Sequence, residues 1–256
     1  YNGKYRGVKT LREDFGDGSF EVYFGDNANN YTKINWQDER FTSGKVETGD
    51  GDPALLTKLK EIASSKNFQE FKKYVDIEDY IDTQILFMFT DTENEIEGIL
   101  HNDAAKDSTK TKMISNINDT DGAFNNARKE GAVAVDFGSD GGGNYRGKWG
   151  RDSRQGAGKM FAKFSGDSTT SADAGNLEFK TLVKNRVLKQ IGPAKGDFKG
   201  AKGAPLSVDN VKSVISSNVA ELDDAYKLDV AFMTDKRTRY QIWKGYQTRI
   251  LGQVDD

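Results

Sequence analysis

The stretch YIDTQILFMFTDTENEIEGILHND, residues Tyr80 to Asp103, decides the fold, because its first half has helical periodicity and its second half does not. Asp76 is a good N-cap just before it. The apolar residues that follow recur at the spacing of a buried helix: Ile77, Tyr80, Ile81, Ile85, Leu86 and Met88. The polar run TDTENEIEG ends the pattern. We therefore predict an apolar helix that runs into the core and delivers Asp91 to a loop.

Two short segments after this loop predict a β-hairpin. They are GILHND (98–103) and TKMISNI (111–117), and the polar turn AAKDSTK separates them. The second segment leads directly into INDTDGAF, which sets Asp119 and Asp121 two residues apart before a glycine and an aromatic residue. We therefore expect Asp119 and Asp121 to lie just after the second strand of the hairpin.

The flanking sequence extends this pattern in both directions. Upstream, KYRGVKTLRED, SFEVYFG and NNYTKINW alternate like strands, whereas PALLTKLKEIASS and FQEFKKYV have helical spacing. Downstream, residues 125–175 are glycine-rich and loop-like, and three helical stretches follow: NLEFKTLVKNRVLKQI, SVDNVKSVISSNVAELDDAY and KRTRYQIWKGYQTRIL. Early strands followed mainly by helices predict an α+β fold. No linker is evident, so we expect a single domain over residues 1–256.

Composition excludes several classes of function. The 256 residues carry 40 acidic and 37 basic side chains in mixed order, which argues against a nucleic-acid groove. Cysteine is absent, so disulfides, thiolate zinc and thiol nucleophiles are excluded, and one histidine rules out histidine-rich metal sites. No apolar run is long enough for a membrane span. Any site must therefore use carboxylates, amides, hydroxyls, Lys and Arg.

INDTDGAF has three possible interpretations. A calcium loop fails on spacing, because aligning Gly122 with the invariant glycine puts Ile117 at the first ligand position and Arg128 at the twelfth. An acidic turn at the hairpin exit is the simplest alternative. The third interpretation is the metal-holding end of a phosphoryl-transfer site.

Other residues that invite a function have simpler explanations. The tripeptide in DFGSDGGG, residues 136–143, has the letters of a kinase magnesium motif, but a glycine-rich surface loop explains it better. We interpret His101 as a hydrogen-bonded residue of the hairpin. Core or interface packing is the default for the three tryptophans: Trp36, Trp149 and Trp243.

The order of polar residues around the hairpin favours the phosphoryl-transfer interpretation. A carboxylate after a buried helix, then an amide, then a carboxylate after a hairpin is the order of parts in a protein-kinase catalytic lobe. One carboxylate orients the accepting hydroxyl, while the amide oxygen and the second carboxylate hold Mg²⁺, which prefers hard oxygen ligands.

On these motifs the chain resembles the CotH family, the spore-coat-type kinases with an atypical protein-kinase-like fold. YNGKYRGVKTLRED is similar to the family's NG-x-Y-x-G-x-Y-x-x-x-E signature, NNYTK to a segment ending in lysine, and NINDTDGAF to WD-x-D-x-x-F. Residues 80–103 also resemble the family, because they contain a helix, an aspartate and an HN dipeptide in the family's order. The resemblance implies that the domain is mainly the helical catalytic lobe, with a small antiparallel sheet at the start.

The resemblance also implies a set of site residues. Asp91 matches the catalytic aspartate, and Lys9 and Lys33 are candidate phosphate contacts. The implied metal ligands are Asn102, Asp119 and Asp121, with Mg²⁺ and ATP as cofactors.

The chain departs from the family pattern at several positions. Asn118 replaces an aromatic residue, and the long spacing between Asp91 and Asn102 makes Asn94 a competitor for the amide position. Family members usually carry strands with a phosphate-binding lysine before the NG-x-Y signature, and this sequence starts at that signature. Glu13 and Arg186 match motif positions without an assigned role, and a structural ion pair is at least as good an interpretation.

The resemblance implies a protein kinase that transfers the ATP γ-phosphoryl group to Ser or Thr of a structural protein. The alternative is a non-catalytic CotH-fold module in a spore coat, cell surface or phage particle. Both interpretations imply an extracytoplasmic or particle-associated location, with a protein substrate or neighbouring structural proteins as partners. For an active site we expect Asp91, Asn102 and Asp119 to line one pocket, with a raised pKa at one of the two acids.

Overall fold

The structure is a computed structural model that describes the larger part of the chain: residues 22–25, 27–35, 53–65, 67–90, 96–107, 109–110, 112–117, 161, 164–166, 175–192, 203–232 and 236–254. Over these ranges the chain combines helices with one small antiparallel sheet, and helix predominates. This agrees with the α+β prediction. None of the helices found in these ranges is both long and apolar enough to span a membrane.

Three strands form the sheet in the order β1-β2-β3, with both pairs antiparallel. They are β1 (Tyr31–Asn35), β2 (Ile96–His101) and β3 (Ile114–Ile117). The early strand and the central hairpin, which the sequence indicated separately, therefore belong to one sheet. Ile96 pairs with Ile117, so the start of β2 and the end of β3 lie at the same end of the hairpin.

Six helices accompany the sheet within the described ranges: α1 (Pro53–Ser65), α2 (Phe68–Tyr74), α3 (Ile77–Thr90), α4 (Leu177–Gln190), α5 (Val208–Phe232) and α6 (Lys236–Gln253). Each was predicted as a helix. One early segment was predicted wrongly as a strand, since Val22–Phe24 of SFEVYFG are helical.

Side-chain caps explain where α2 and α3 begin. Asn67 Oδ1 accepts the Glu70 N–H at 3.1 Å at the start of α2. Asp76 Oδ1 accepts the N–H groups of Glu78 and Asp79 at 3.1 and 3.2 Å at the start of α3, as predicted. Such caps satisfy backbone donors that have no partner inside the helix.

The chain divides into two compact units, one comprising residues 15–188 and the other residues 1–14 with 189–256. The core of the first unit is a cluster of aromatic rings with centroids 5.0–6.5 Å apart: Phe68, Phe71, Tyr80, Phe161, Phe164 and Phe179. All six are almost fully buried. Burial of six aromatic side chains holds α2, α3 and α4 around a common centre.

A close backbone contact lies beside this cluster. Gly175 has φ +68°, and a Cβ placed there would come within 2.3 Å of the Ser165 carbonyl oxygen. The next residue, Asn176, donates its N–H to the Phe164 oxygen at 2.7 Å, and its Oδ1 caps α4 through the Phe179 N–H. Glycine is needed here for both its conformation and its small size.

The second unit contains α5 and α6. Lys244 of α6 lies 2.8 Å from Asp223 of α5, and Asp223 also pairs with Lys227 one turn further along. Hydrogen bonds to Asp223 and then to Asp224 raise the Lys227 pKa. Three large apolar side chains on α5 are exposed: Val214, Leu222 and Leu228.

Candidate functional site

The junction between α3 and β3 fixes the hairpin that leads to Asp119. Met113 donates its N–H to the Tyr74 oxygen at 2.6 Å, and its own oxygen accepts the Asp76 N–H at 2.9 Å. Val75 and Met113 thereby form an isolated parallel bridge. The residues between α2 and α3 are therefore bound through their backbone to Met113, the residue just before β3.

Asp79 adds one more hydrogen bond at this junction. Its Oδ2 accepts the Ser115 N–H at 2.6 Å. Burial raises the pKa of the Asp79 carboxyl despite the opposing hydrogen bond from Ser115, and the nearby Asp76 and Asp82 add to the rise. The carboxylate therefore carries a desolvation cost in its ionised form.

The register of the hairpin determines which end of it each flanking segment joins. Asp91 lies five residues before Ile96, the first residue of β2, and Asp119 lies two residues after Ile117, the last residue of β3. Because Ile96 and Ile117 pair, both segments join the hairpin at the same end. The register is thus compatible with the predicted sharing of one site by these two acids.

Asn102 lies at the other end of β2. Its Oδ1 accepts a short hydrogen bond from the Thr32 hydroxyl, and its Nδ2 donates to the Asn29 oxygen at 2.7 Å. At the rise of an extended strand, the six residues of β2 separate its two ends by about 17 Å. The amide therefore joins β1 to the end of β2, and its prediction as a metal ligand stays a prediction.

Lys33, a predicted phosphate contact, is a partly exposed residue in the middle of β1, where it pairs with Ile99. His101 pairs with Tyr31, and the two rings meet edge to face with centroids 5.1 Å apart. Its Nδ1 accepts the Asp103 N–H at 3.2 Å, as expected for a hydrogen-bonded hairpin residue.

Arg186 is held in an ion-pair network between α3 and α4. Its Nε donates to Asp82 Oδ1 at 2.7 Å, while its two terminal nitrogens contact Asp82 Oδ2 and Glu78 Oε2. The bidentate contact with Asp82 is the main cause that raises the Arg186 pKa. Arg186 therefore has a structural role in binding two acids of α3, whereas Glu13, the other motif position, lies outside the described residues.

The remaining predicted site residues lie outside the described residues: Lys9, Asp91, Asp119 and Asp121. The expected pocket shared by Asp91, Asn102 and Asp119 consequently stays a prediction. Within the described ranges no group of three or more acidic or histidine side chains is arranged to hold a metal ion.

Sequence reasoning missed Asp79 and Gln84. Asp79 stands three residues after an N-cap, where acids are common, and its partner in β3 is 36 residues away. Gln84 is fully buried in α3, and neither polar atom of its amide has a hydrogen-bond partner in the described part of the chain. The sequence signal for Gln84, which was not used, is a glutamine within an apolar helix.

Comparisons with models of known protein families, with curated proteins and with solved structures give no match to this chain.

Proposed function

We propose that this chain is a CotH-like protein kinase that transfers the γ-phosphoryl group of ATP, with Mg²⁺, to a serine or threonine of a structural protein. Asp91 would orient the accepting hydroxyl, and Asp119, with Asp121 beside it, would hold the metal. Lys9 and Lys33 remain the candidate phosphate contacts. This fold and this activity are inferred from the order of motifs along the chain.

One observation supports the proposal most directly, namely the antiparallel register of β2 and β3. It brings the segment between α3 and β2 and the segment after β3 to one end of the hairpin. These segments contain the two carboxylates that phosphoryl transfer requires, one beside the hydroxyl and one on the metal. A hairpin that served only as a turn would not need acids at both of these positions.

The same register favours Asn94 over Asn102 as the amide ligand. Asn94 lies two residues before β2, in the segment that also contains Asp91. Asn102 instead follows the far end of β2 and bonds Thr32 and Asn29. We assign the amide position to Asn94 and keep Asn102 as the alternative ligand.

Incubation of the complete protein with labelled ATP and Mg²⁺ tests the proposal. We expect wild-type protein to transfer label and Asp119→Ala to lose at least about 100-fold of the rate, because a metal ligand contributes several kcal/mol of charge stabilisation. Asp103→Ala is the matched control, since Asp103 is an exposed acid at the other end of β2. The proposal would be contradicted if the wild type transferred no label, or if Asp119→Ala transferred as much label as the wild type.

The same assay distinguishes the two amides. Asn94→Ala should raise the Mg²⁺ concentration needed for half-maximal rate. Asn102→Ala should leave this Mg²⁺ dependence unchanged and lower the melting temperature, because two hydrogen bonds to the β1 region are lost. The reverse pattern would restore Asn102 as the ligand.

The alternative function is a non-catalytic module of a spore coat, surface or phage particle assembly. Exposed Val214, Leu222 and Leu228 on α5 favour it, because contact with another protein would remove these apolar side chains from water. A protein that transfers no phosphoryl label but co-assembles with structural proteins would support this alternative.

A further inference from the structure

One side of α4 combines exposed leucines with a lysine. Leu177 and Leu188 keep 77% and 43% of their surface exposed. Exposed Lys184 lies on the same side of the helix, because it follows Leu177 by seven residues and precedes Leu188 by four. Arg186, which binds α3, is nine residues or two and a half turns from Leu177. The side formed by Leu177, Lys184 and Leu188, here called the α4 face, is therefore directed away from α3.

One side of α5 combines exposed apolar residues with an acid. The four exposed residues that share this side, here called the α5 face, are Val214, Glu221, Leu222 and Leu228. They follow the first of them by seven, eight and fourteen residues, which is the spacing of one helix side. Asp223, nine residues after Val214, contacts Lys244 of α6 from the opposite side. The α5 face is therefore directed away from α6.

The two helices carry opposite charge. The sequence of α4 contains four basic side chains and one acidic one, whereas that of α5 contains five acidic side chains and two basic ones. Neither Lys184 nor Glu221 forms an ion pair with another residue of the described ranges. The two faces thus present charges of opposite sign to solvent.

The spacing of apolar and charged residues matches as well. Lys184 follows Leu177 by seven residues, and Glu221 follows Val214 by seven, so each pair spans about 10.5 Å along its helix. The two helices can therefore place apolar side chains together while Lys184 lies opposite Glu221. Contact between two α5 faces would instead bring acids together, and contact between two α4 faces would bring lysines together, which is unfavourable.

We propose that the α4 face of one copy of this chain binds the α5 face of a second copy. The two faces belong to different compact units, and each copy presents one of each. Such a contact is heterologous, so copies join head to tail in a ring or an open chain. Five partly exposed apolar side chains make a smaller contact than the about 1,200–2,000 Å² of stable interfaces, so we expect weak association. This inference does not depend on the proposed kinase activity.

Sedimentation velocity of the complete protein at concentrations up to about 1 mM tests the proposal, because this range detects even a millimolar Kd. We expect the sedimentation coefficient of wild-type protein to rise with concentration. Lys184→Glu and Glu221→Lys should each weaken association by about 5-fold or more, because repulsion replaces an ion pair. Lys106→Glu is the matched control, since it makes the same charge change at an exposed position between β2 and β3.

An equal mixture of the two charge-reversed variants provides the decisive measurement. Each variant alone has like charges on both faces, whereas a Lys184→Glu copy and a Glu221→Lys copy present opposite charges to each other. The mixture should therefore associate about as well as wild type. Leu188→Ala should weaken wild-type association by about 5-fold without changing its dependence on the two charges, because a half-exposed leucine is lost from the contact.

The other outcomes overturn the proposal. Wild-type protein that stays monomeric over the whole concentration range would leave these faces to a different partner. Association that both charge reversals leave unchanged would place the contact elsewhere on the molecule. Single variants that associate weakly, with no recovery in the mixture, would show that the two faces do not bind each other between copies. Circular dichroism of each variant confirms that α4 and α5 remain helical.

Discussion

At the scale of single residues, the carboxyl of Asp79 makes stability depend on pH. Its pKa is raised in the folded protein, mainly by burial, above the usual value of 3.8. The folded state therefore binds the proton more tightly than the unfolded state, and the ionised form is penalised above the folded pKa. As pH falls through the folded pKa towards 3.8, this penalty is relieved and the Asp79 contribution to stability rises.

Asp79→Asn should consequently be more stable than wild type at pH 7, and this advantage should shrink as pH falls towards 4. Asparagine keeps the acceptor for Ser115 but carries no charge to desolvate. Melting temperatures of both proteins between pH 4 and 8 check the expectation. Asp107→Asn is a useful control, since hydrogen bonds from Thr109 lower the Asp107 pKa, so its replacement should cost stability at neutral pH. A constant difference for Asp79→Asn across this range would contradict the mechanism.

At the scale of elements, the Arg186 network adds to the aromatic cluster in attaching α4 to α3. Arg186→Met keeps much of the side-chain volume but leaves Glu78 and Asp82 without their cation. Breaking a partly buried, bidentate pair by removing one partner should lower the free energy of unfolding by about 1–3 kcal/mol. Chemical denaturation measures the loss.

Lys184→Met, an exposed change on the same helix, is the control for altered helix propensity. If both variants lose the same stability, the network does not hold the two helices together.

The helices were predictable because their signals are local. Asn67 and Asp76 act on N–H groups two or three residues away, and apolar spacing within one segment marks the buried face. The pairing of β2 with β3 was predictable from the short hairpin, whereas its register was not predicted. The helical Val22–Phe24 was missed because alternating aromatic residues favour a strand locally, whereas tertiary context decides such short segments.

The candidate site was less predictable because its contacts are distant in sequence. Thr32 bonds Asn102 from 70 residues away, and Arg186 bonds Asp82 from 104 residues away. A resemblance of motifs supplied the order of acids and amides along the chain. The resemblance did not show which side chains each amide contacts. It therefore could not distinguish a structural amide from a metal ligand.

At the scale of the whole molecule, the two units differ in the aromatic burial seen among the side chains that the structure describes. The unit of residues 15–188 contains the six-ring cluster, whereas the buried apolar side chains described for the other unit are Ala204 and Val254. Local stability follows the density of buried contacts. We therefore expect amides of α5 and α6 to exchange faster with solvent than those of α2 and α3.

Native-state hydrogen exchange of the full chain checks this difference. Substitution of Phe71 by Leu should reduce protection in α2 and α3 and leave α5 unchanged, because Phe71 lies within the aromatic cluster. Equal loss of protection in both units would show that they unfold as one.

The polar turn between β2 and β3 is a suitable position for a reporter group. The chain has no cysteine, so a single thiol introduced at exposed Lys110 would be the only one available for a fluorescent or spin label. The label would sit at the end of the hairpin opposite to the junction of Ile96 and Ile117. Changes in the hairpin could then be followed by a reporter attached to its turn.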